Sequence, residues 1–96
     1  MFQAIAEPNR RQILDVLRQG DRSVGALVAA TGLSYSLVSQ HLKVLRDAHT
    51  VIRWPKGRHR IYRLDPAPLR EVRDWTSEYE RFWRERMARL RRRLDA

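Results

Sequence analysis

Residues 34–45, SYSLVSQHLKVL, decide how the rest of the chain is arranged. At about 100° per residue, Val38, Leu42 and Leu45 fall on one apolar stripe of a helix. The opposite face is polar and nearly uncharged, and it carries Ser36, Ser39, Gln40 and Lys43. Short hydroxyl and amide side chains suit close approach to base edges in a major groove. The pattern therefore predicts a recognition helix over residues 34–46, with Ser34 as its N-cap.

Two amphipathic segments precede this helix. From Pro8, at the first helical position, apolar residues repeat at helical spacing until Gly20 ends the pattern. Ser23 is a suitable N-cap for a second, shorter helix. The turn at residues 31–33, TGL, then leads into the recognition helix. A helix, a short turn containing glycine and a second helix together predict a helix-turn-helix.

The apolar period changes to two after residue 48. Residues 51–54 and 60–64 are rich in β-branched and aromatic side chains, and Pro55-Lys56-Gly57 separates them. This predicts a two-stranded hairpin over residues 51–64 with a basic tip. Residues 48–64 contain five basic and no acidic side chains, so the hairpin is the electropositive part of the chain. A hairpin in this position forms the wing of a winged helix-turn-helix.

A long final helix is predicted over residues 66–94, where Asp65 is the N-cap and proline occupies the first turn. Its apolar residues form one stripe that is longer than a small domain covers by itself. We therefore predict a homodimer interface made by this stripe and the short apolar lead-in at residues 2–6. The predicted interface residues are Phe2, Ile5, Leu69, Val72, Trp75, Tyr79, Phe82, Trp83, Met87 and Leu90. The alternative role for the aromatic members is to line a pocket for a small-molecule effector.

Length and charge limit the class of protein. The 96 residues predict a single domain, mainly α with a small β-hairpin, in the order α-α-α-α-β-β-α. The chain has 20 basic and 11 acidic side chains, which gives a formal net charge of +9. Of the basic residues, 18 are arginine and only two are lysine. Arginine pairs bidentately with phosphate and guanine, which favours double-stranded DNA as the partner. A GC-rich genome is a second explanation for the arginine excess.

The composition also bears on location and redox chemistry. The chain has no cysteine, so it offers no disulfide, thiolate metal site or redox switch. It contains neither an apolar run of about 20 residues nor the features of a signal peptide. We therefore expect a cytoplasmic, nucleoid-associated protein without a membrane partner.

Several stretches together resemble the ArsR/SmtB family of bacterial winged-helix repressors. VSQHLKVLRDA and GRHRIYRLD are similar to the family's recognition helix and wing, and AEPNRRQILDVL is similar to its first long helix. The terminal helix is similar to its dimerisation helix. The resemblance implies base-reading roles for Tyr35, Ser36, Ser39 and Gln40, and wing contacts to DNA for Lys56, Arg58, His59 and Arg60. From their positions we add Ser23, at a helix N-terminus, and Lys43 as further DNA contacts.

The chain departs from the family at its metal sites. Metal-sensing members carry cysteine where this chain has SVGALVA, and others pair Asp with His on the last helix, where this chain has Asp74 and Glu78. The three histidines, His41, His49 and His59, have no recognisable ligand spacing. We therefore expect no metal and no cofactor. His41 lies at the edge of the apolar stripe, which favours a structural or phosphate-contact role.

The segment after the recognition helix also differs from the family. Members commonly have glycine there, whereas this chain has Ala48-His49-Thr50. The sequence therefore leaves the backbone conformation of residues 48–50 undecided, although His tolerates left-handed geometry better than most residues.

The sequence favours a DNA-binding regulator over an enzyme. Its Ser and Thr residues lack flanking His and Asp in a recognisable pattern, and there is no Gly-rich phosphate loop. We predict a homodimeric repressor that occludes a promoter at a pseudo-palindromic operator. A sequence-tolerant nucleoid protein and a protein-interaction module are the alternatives. The cluster at Arg89 and residues 91–93 is either solvated or in contact with flanking phosphate.

Overall fold

The computed structural model describes residues 1–95, which form five α-helices and one three-stranded antiparallel sheet. The elements are α1 Phe2–Ala6, α2 Pro8–Arg18, β1 Arg22–Ser23, α3 Val24–Thr31, α4 Tyr35–Asp47, β2 Val51–Lys56, β3 His59–Leu64 and α5 Leu69–Asp95. Four helices precede the hairpin and one follows it, as predicted. Within residues 1–95, no helix combines the length and apolarity needed to cross a membrane.

Side-chain caps set the beginnings of three helices. The Ser34 hydroxyl accepts a hydrogen bond from the backbone N–H of Leu37 at 3.1 Å, which confirms Ser34 as the N-cap of α4. The Ser23 hydroxyl accepts from the N–H of Ala26 at 3.2 Å and caps α3 in the same way. At α2 the Glu7 carboxylate is the cap. Each bond satisfies an amide that has no partner inside its helix.

The core lies where the helix-turn-helix meets the sheet. α4 contributes Val38, Leu42 and Leu45, all buried as predicted, and the remaining buried apolar side chains are Ala4, Ile13, Leu14, Leu17, Leu27, Val51 and Tyr62. Burying a Val, Leu or Ile side chain stabilises the fold by roughly 1.5 to 3 kcal/mol. This core holds α4 with one face inward and leaves its other face to solvent.

His49 adopts the left-handed conformation at the end of α4, with φ of 61°. The N–H of His49 donates to the Arg46 carbonyl at 2.9 Å, and the N–H of Thr50 donates to the Leu45 carbonyl at 3.0 Å. These two bonds form a Schellman motif, which normally has glycine at the left-handed position. The buried Thr50 hydroxyl also donates to the Leu45 carbonyl, at 2.9 Å. The helix is therefore closed without glycine.

The sheet corrects the sequence prediction in two respects. A third strand, β1, pairs with β3 and places Arg22 opposite Tyr62. The sequence did not predict β1, because a strand of two residues is too short to show an alternating pattern. The hairpin turn is Gly57-Arg58, with Gly57 at φ 61°, and Pro55 belongs to β2. β2 is an edge strand in the order β1-β3-β2, and proline is tolerated in an edge strand.

The final helix begins at Leu69, three residues later than predicted. The N–H groups of Leu69 and Arg70 donate to the carbonyls of Pro66 and Ala67, in an i→i+3 pattern that is tighter than an α-helix. Pro68 accounts for the delay, because a proline disfavours α geometry in the residue before it. From Leu69 the helix runs for 27 residues, or about 40 Å, and none of its residues is buried. The molecule is consequently elongated, with a long dimension of 63 Å.

Candidate nucleic-acid interface

The outer face of α4 presents a row of polar side chains. Ser36, Gln40 and Lys43 are exposed as the helical projection predicted, whereas Ser39 is half-buried. Tyr35 is 65% exposed at the start of the helix. Within residues 1–95, none of these five side chains forms a hydrogen bond or an ion pair, so their donors and acceptors are not engaged inside the protein. We refer to these five residues as the polar row.

The tip of the hairpin carries concentrated positive charge. Lys56 and His59 are paired across the two strands, Arg58 lies in the turn, and Arg60 follows His59 on β3. All four are exposed, and no carboxylate of residues 1–95 forms an ion pair with any of them. The charges of the tip are therefore not engaged in ion pairs, which suits contact with a polyanion.

An arginine fixes the hairpin to the body of the protein. The Nη2 of Arg63 donates to Oδ2 of Asp21 at 3.0 Å, and its Nε donates to Oδ1 at 3.2 Å. The Arg63 guanidinium also lies 4.7 Å from the centre of the Trp54 ring. The hydrogen bond from Arg63 lowers the pKa of Asp21 from its ordinary value. This bidentate contact connects β3 to the residue just before β1.

A second contact holds the recognition helix against the start of α2. The Nε2 of His41 lies 3.9 Å from Oε2 of Glu7, and the His41 side chain is only 14% exposed. Partial desolvation acts to raise the pKa of Glu7, but hydrogen bonds from the N–H groups of Arg10 and Asn9 prevail and lower it. A carboxylate is thus kept beside His41. The burial favours the structural role for His41 over phosphate contact.

Ser23 is half-buried, and its hydroxyl is already used as the cap of α3. It also pairs with Ile61 as part of β1. Any contribution of Ser23 to anion binding therefore comes from its helix N-terminus and not from a free hydroxyl.

The apolar stripe of α5 is uncovered. Six of the predicted interface residues on α5 are between 45% and 65% exposed, and they are Trp75, Tyr79, Phe82, Trp83, Met87 and Leu90. Leu69 and Val72 are half-buried. The ring of Phe2 on α1 lies 5.9 Å from that of Trp75, which lies 5.5 Å from that of Tyr79, both in edge-to-face geometry. α1 and α5 thus form one continuous apolar surface.

Ile5 is the member of the predicted interface that behaves differently. It is half-buried and packs against the core of its own chain.

The part of the chain that the structure describes brings no three histidine or carboxylate side chains together as a candidate metal site. Metal independence therefore stays a prediction.

The sequence matches known proteins along most of its length. Residues 7–52 match the model of the bacterial regulatory proteins of the arsR family. The chain is 42% identical over 82 residues to the HTH-type transcriptional regulator Rv2034 of Mycobacterium tuberculosis, covering 85% of this chain and 74% of that protein. The chain belongs to the ArsR family. It is a DNA-binding transcriptional regulator of the winged helix-turn-helix type.

Two further comparisons, one in sequence and one in structure, agree with this family membership. The transcriptional repressor SdpR of Bacillus subtilis is 33% identical over 75 residues, covering 78% of this chain and 83% of that protein. A solution structure of a homodimeric winged helix-turn-helix DNA-binding domain from Mycobacterium bovis superposes with a TM-score of 0.67. The superposed regions are 32% identical in sequence and cover 80% of this chain and 74% of the Mycobacterium bovis chain. The resemblance to the ArsR/SmtB family is therefore confirmed.

Sequence reasoning missed the contacts that position the reading elements of this ArsR protein. Besides the Arg63–Asp21 and His41–Glu7 contacts, Arg10 ties α1 to α2. Its Nε donates to the carbonyl of Ala4 at 2.6 Å and its Nη2 to that of Gln3 at 3.2 Å. These carbonyls lie at the end of α1 and need partners. The only signal in the sequence is an arginine within an otherwise apolar helical stripe.

Proposed function

We propose that this ArsR protein is a homodimeric repressor that binds a pseudo-palindromic operator and represses transcription by occluding a promoter. The observation that carries the proposal is the polar row of α4, in which every member but the half-buried Ser39 is exposed, while the opposite face of the same helix is buried in the core. A helix fixed in this way enters a major groove with one defined face. We propose a non-enzymatic role in the bacterial cytoplasm, where the chromosome lies.

The side chains of the polar row suit base recognition. Gln40 has an amide donor and an amide acceptor, which match N6 and N7 of adenine. Lys43 donates to guanine or to phosphate, and Ser36 and Ser39 supply short hydroxyls at the groove floor. Tyr35, at the start of the helix, adds a phenolic hydroxyl that donates to or accepts from base edges. We assign these five residues to specific recognition.

The hairpin tip supplies affinity instead of sequence reading. Lys56, Arg58 and Arg60 are exposed cations that form no ion pair within residues 1–95, and the exposed His59 lies beside them, which suits phosphates and a narrow minor groove. The bidentate contact of Arg63 fixes the direction of the hairpin, so the tip does not depend on a flexible loop. Ser23 adds the N-terminus of α3 as a phosphate contact.

The proposed dimer uses the apolar surface of α1 and α5. Its exposed residues are too many and too contiguous for a soluble monomer. The Mycobacterium bovis neighbour, described as homodimeric, supports this assignment. In the proposed dimer, two copies of α4 occupy successive major grooves, which lie about 34 Å apart.

Selection from random DNA duplexes tests the function directly. We expect enrichment of an inverted repeat whose half-sites lie about one helical turn, or 10 base pairs, apart. A run-off transcription assay with this repeat at the promoter should then show less transcript as protein is added. Binding without any enriched sequence would contradict the proposal and favour a sequence-tolerant nucleoid protein. Absence of duplex binding at physiological salt would favour a protein-interaction module.

A further inference from the structure

Two apolar side chains of α4 are exposed and lie outside the core. Leu37 is 42% exposed and Val44 is 38% exposed, and neither belongs to the core cluster. Within the chain α4 packs against α1, α2, α3 and β2, and these contacts leave both side chains accessible to solvent. We call Leu37 and Val44 the apolar strip of α4.

The apolar strip lies directly beside the polar row. Leu37 precedes Gln40 by three residues and Val44 follows it by four. Residues at these separations are neighbours on the surface of a helix, with Cβ atoms about 5 to 6 Å apart. At 100° per residue the three side chains fall within about 60° of one another. Gln40 therefore has an apolar side chain on each side of it along the helix axis.

An apolar side chain has one natural partner among the base edges of a major groove. The C5-methyl group of thymine is the only methyl group that the four bases present there, and the other recognition groups are hydrogen-bond donors and acceptors. Leucine and valine side chains offer no donor or acceptor, so covering a polar base edge with them would leave that edge without a partner. The chemistry that fits the apolar strip is a thymine methyl group.

The position along the helix favours Leu37 over Val44. The residues near the N-terminus of a recognition helix are the ones that contact base edges in helix-turn-helix proteins. Leu37 lies in the first turn of α4, which begins at Tyr35, whereas Val44 lies in the last turn, before Asp47. Leu37 is therefore the member of the strip that approaches the bases.

We propose that Leu37 is a specificity-determining residue that contacts the C5-methyl group of a thymine in each operator half-site; this rests on the operator binding of the proposed function. There, Gln40 pairs with an adenine. The separation of about 5 to 6 Å between the two side chains corresponds to one or two base-pair steps of about 3.4 Å. Each half-site therefore contains a thymine within two base pairs of the adenine that Gln40 contacts.

Replacing thymine by deoxyuridine tests the contact, because the base loses only its methyl group and keeps its pairing. Each thymine of the operator selected from random duplexes is replaced in turn, and the dissociation constant is measured by fluorescence anisotropy. Burying one methyl group changes affinity by about fourfold. At one thymine position we therefore expect about fourfold weaker binding of the wild type when one half-site is changed, and roughly fifteenfold when both are.

Variants of the protein assign the methyl group to Leu37. Leu37→Ala should bind the thymine operator about as weakly as the wild type binds the deoxyuridine operator, and it should not distinguish the two DNAs. Val44→Ala is the matched control, since it removes apolar atoms from the same strip at a similar exposure. It should keep the fourfold difference. Both variants should bind random duplexes like the wild type, because phosphate contacts carry no sequence information.

Folding and assembly are checked on the same proteins. Urea unfolding and sedimentation should show that Leu37→Ala is folded and dimeric, because its side chain is already partly in solvent. Leu37→Gln, which is similar in length but polar, is the second variant if the truncation impairs folding, and it should also lose the difference between thymine and deoxyuridine. A Leu37→Ala protein that is folded but monomeric would place Leu37 in the dimer interface and overturn the proposal.

The remaining outcomes separate this inference from the proposed function. A wild type that binds every deoxyuridine operator as tightly as the thymine operator overturns the methyl contact and leaves operator binding in place. A Leu37→Ala protein that keeps the fourfold difference does the same. Selection without any enriched sequence contradicts the proposed function, and the inference fails with it.

Discussion

Trp83 is 62% exposed in the middle of the α5 stripe, and replacing it by aspartate should dissociate the dimer. A buried aromatic side chain covers about 150 to 250 Å², so a partner has roughly 120 Å² of Trp83 left to cover. At about 25 cal/mol per Å², full coverage contributes about 3 kcal/mol for each copy and about 6 kcal/mol for the symmetric dimer. Half of that coverage contributes about 3 kcal/mol, and each 1.4 kcal/mol is about tenfold in affinity. We therefore expect the dissociation constant to rise at least about a hundredfold.

Sedimentation equilibrium measures this effect, and a matched variant controls for the added charge. Ser77→Asp introduces the same carboxylate on the same helix, at an exposed position away from the stripe. It should leave the dimer intact, whereas Trp83→Asp should be monomeric at micromolar concentration and lose operator affinity, because one subunit holds one half-site. A Trp83→Asp protein that stays dimeric would place the interface elsewhere. Equal dissociation by both variants would show that charge on α5, and not the lost apolar surface, is responsible.

Four further results are expected. Gln40→Ala should weaken operator binding by roughly 1 to 3 kcal/mol and leave random-duplex binding nearly unchanged in a competition assay, with the exposed Gln12→Ala as control. Arg58→Ala with Arg60→Ala should weaken binding to all duplexes and reduce the salt slope by about one unit per lost phosphate contact; an unchanged slope would mean that the hairpin points away from DNA. Micromolar zinc, cadmium or arsenite should not alter operator affinity, and release that a chelator reverses would reveal a metal site. Asp21→Asn should be less stable than the wild type in urea unfolding at pH 7. The wild-type carboxylate contributes its full stability only above its ordinary pKa of 3.8, so the difference between the two proteins should vanish as the pH falls through the lowered pKa of Asp21. A difference in stability that persists near pH 2 would show another cause.

The candidate site was predicted from the sequence where its residues belong to one helix. The projection of residues 34–45 placed Ser36, Gln40 and Lys43 outward, and the structure confirms their exposure. It also placed Ser39 outward, but that residue is half-buried. The projection describes an isolated helix, and the neighbouring elements that cover the edges of α4 are not part of it. Predictions at the margin of a helical face are therefore less secure than those at its centre.

The sequence by itself determined the features that depend on local interactions. The apolar period of α4 fixed the buried set Val38, Leu42 and Leu45, and the caps Ser23 and Ser34 act across three residues. Such features depend only on side-chain spacing and on amides that any helix end leaves unpaired. The same reasoning explains why the two strands of the hairpin were identified from their period of two.

Only the tertiary structure decided how these elements are fixed to one another. Asp21 and Arg63 are 42 residues apart, and neither has a local feature that indicates the other. His41 is held beside Glu7 only because α4 packs near the start of α2. The two-residue strand β1 exists only because β3 offers unpaired backbone groups along its free edge. Periods and caps are encoded within one or two turns of chain, whereas these contacts arise from distant segments that the common core brings together.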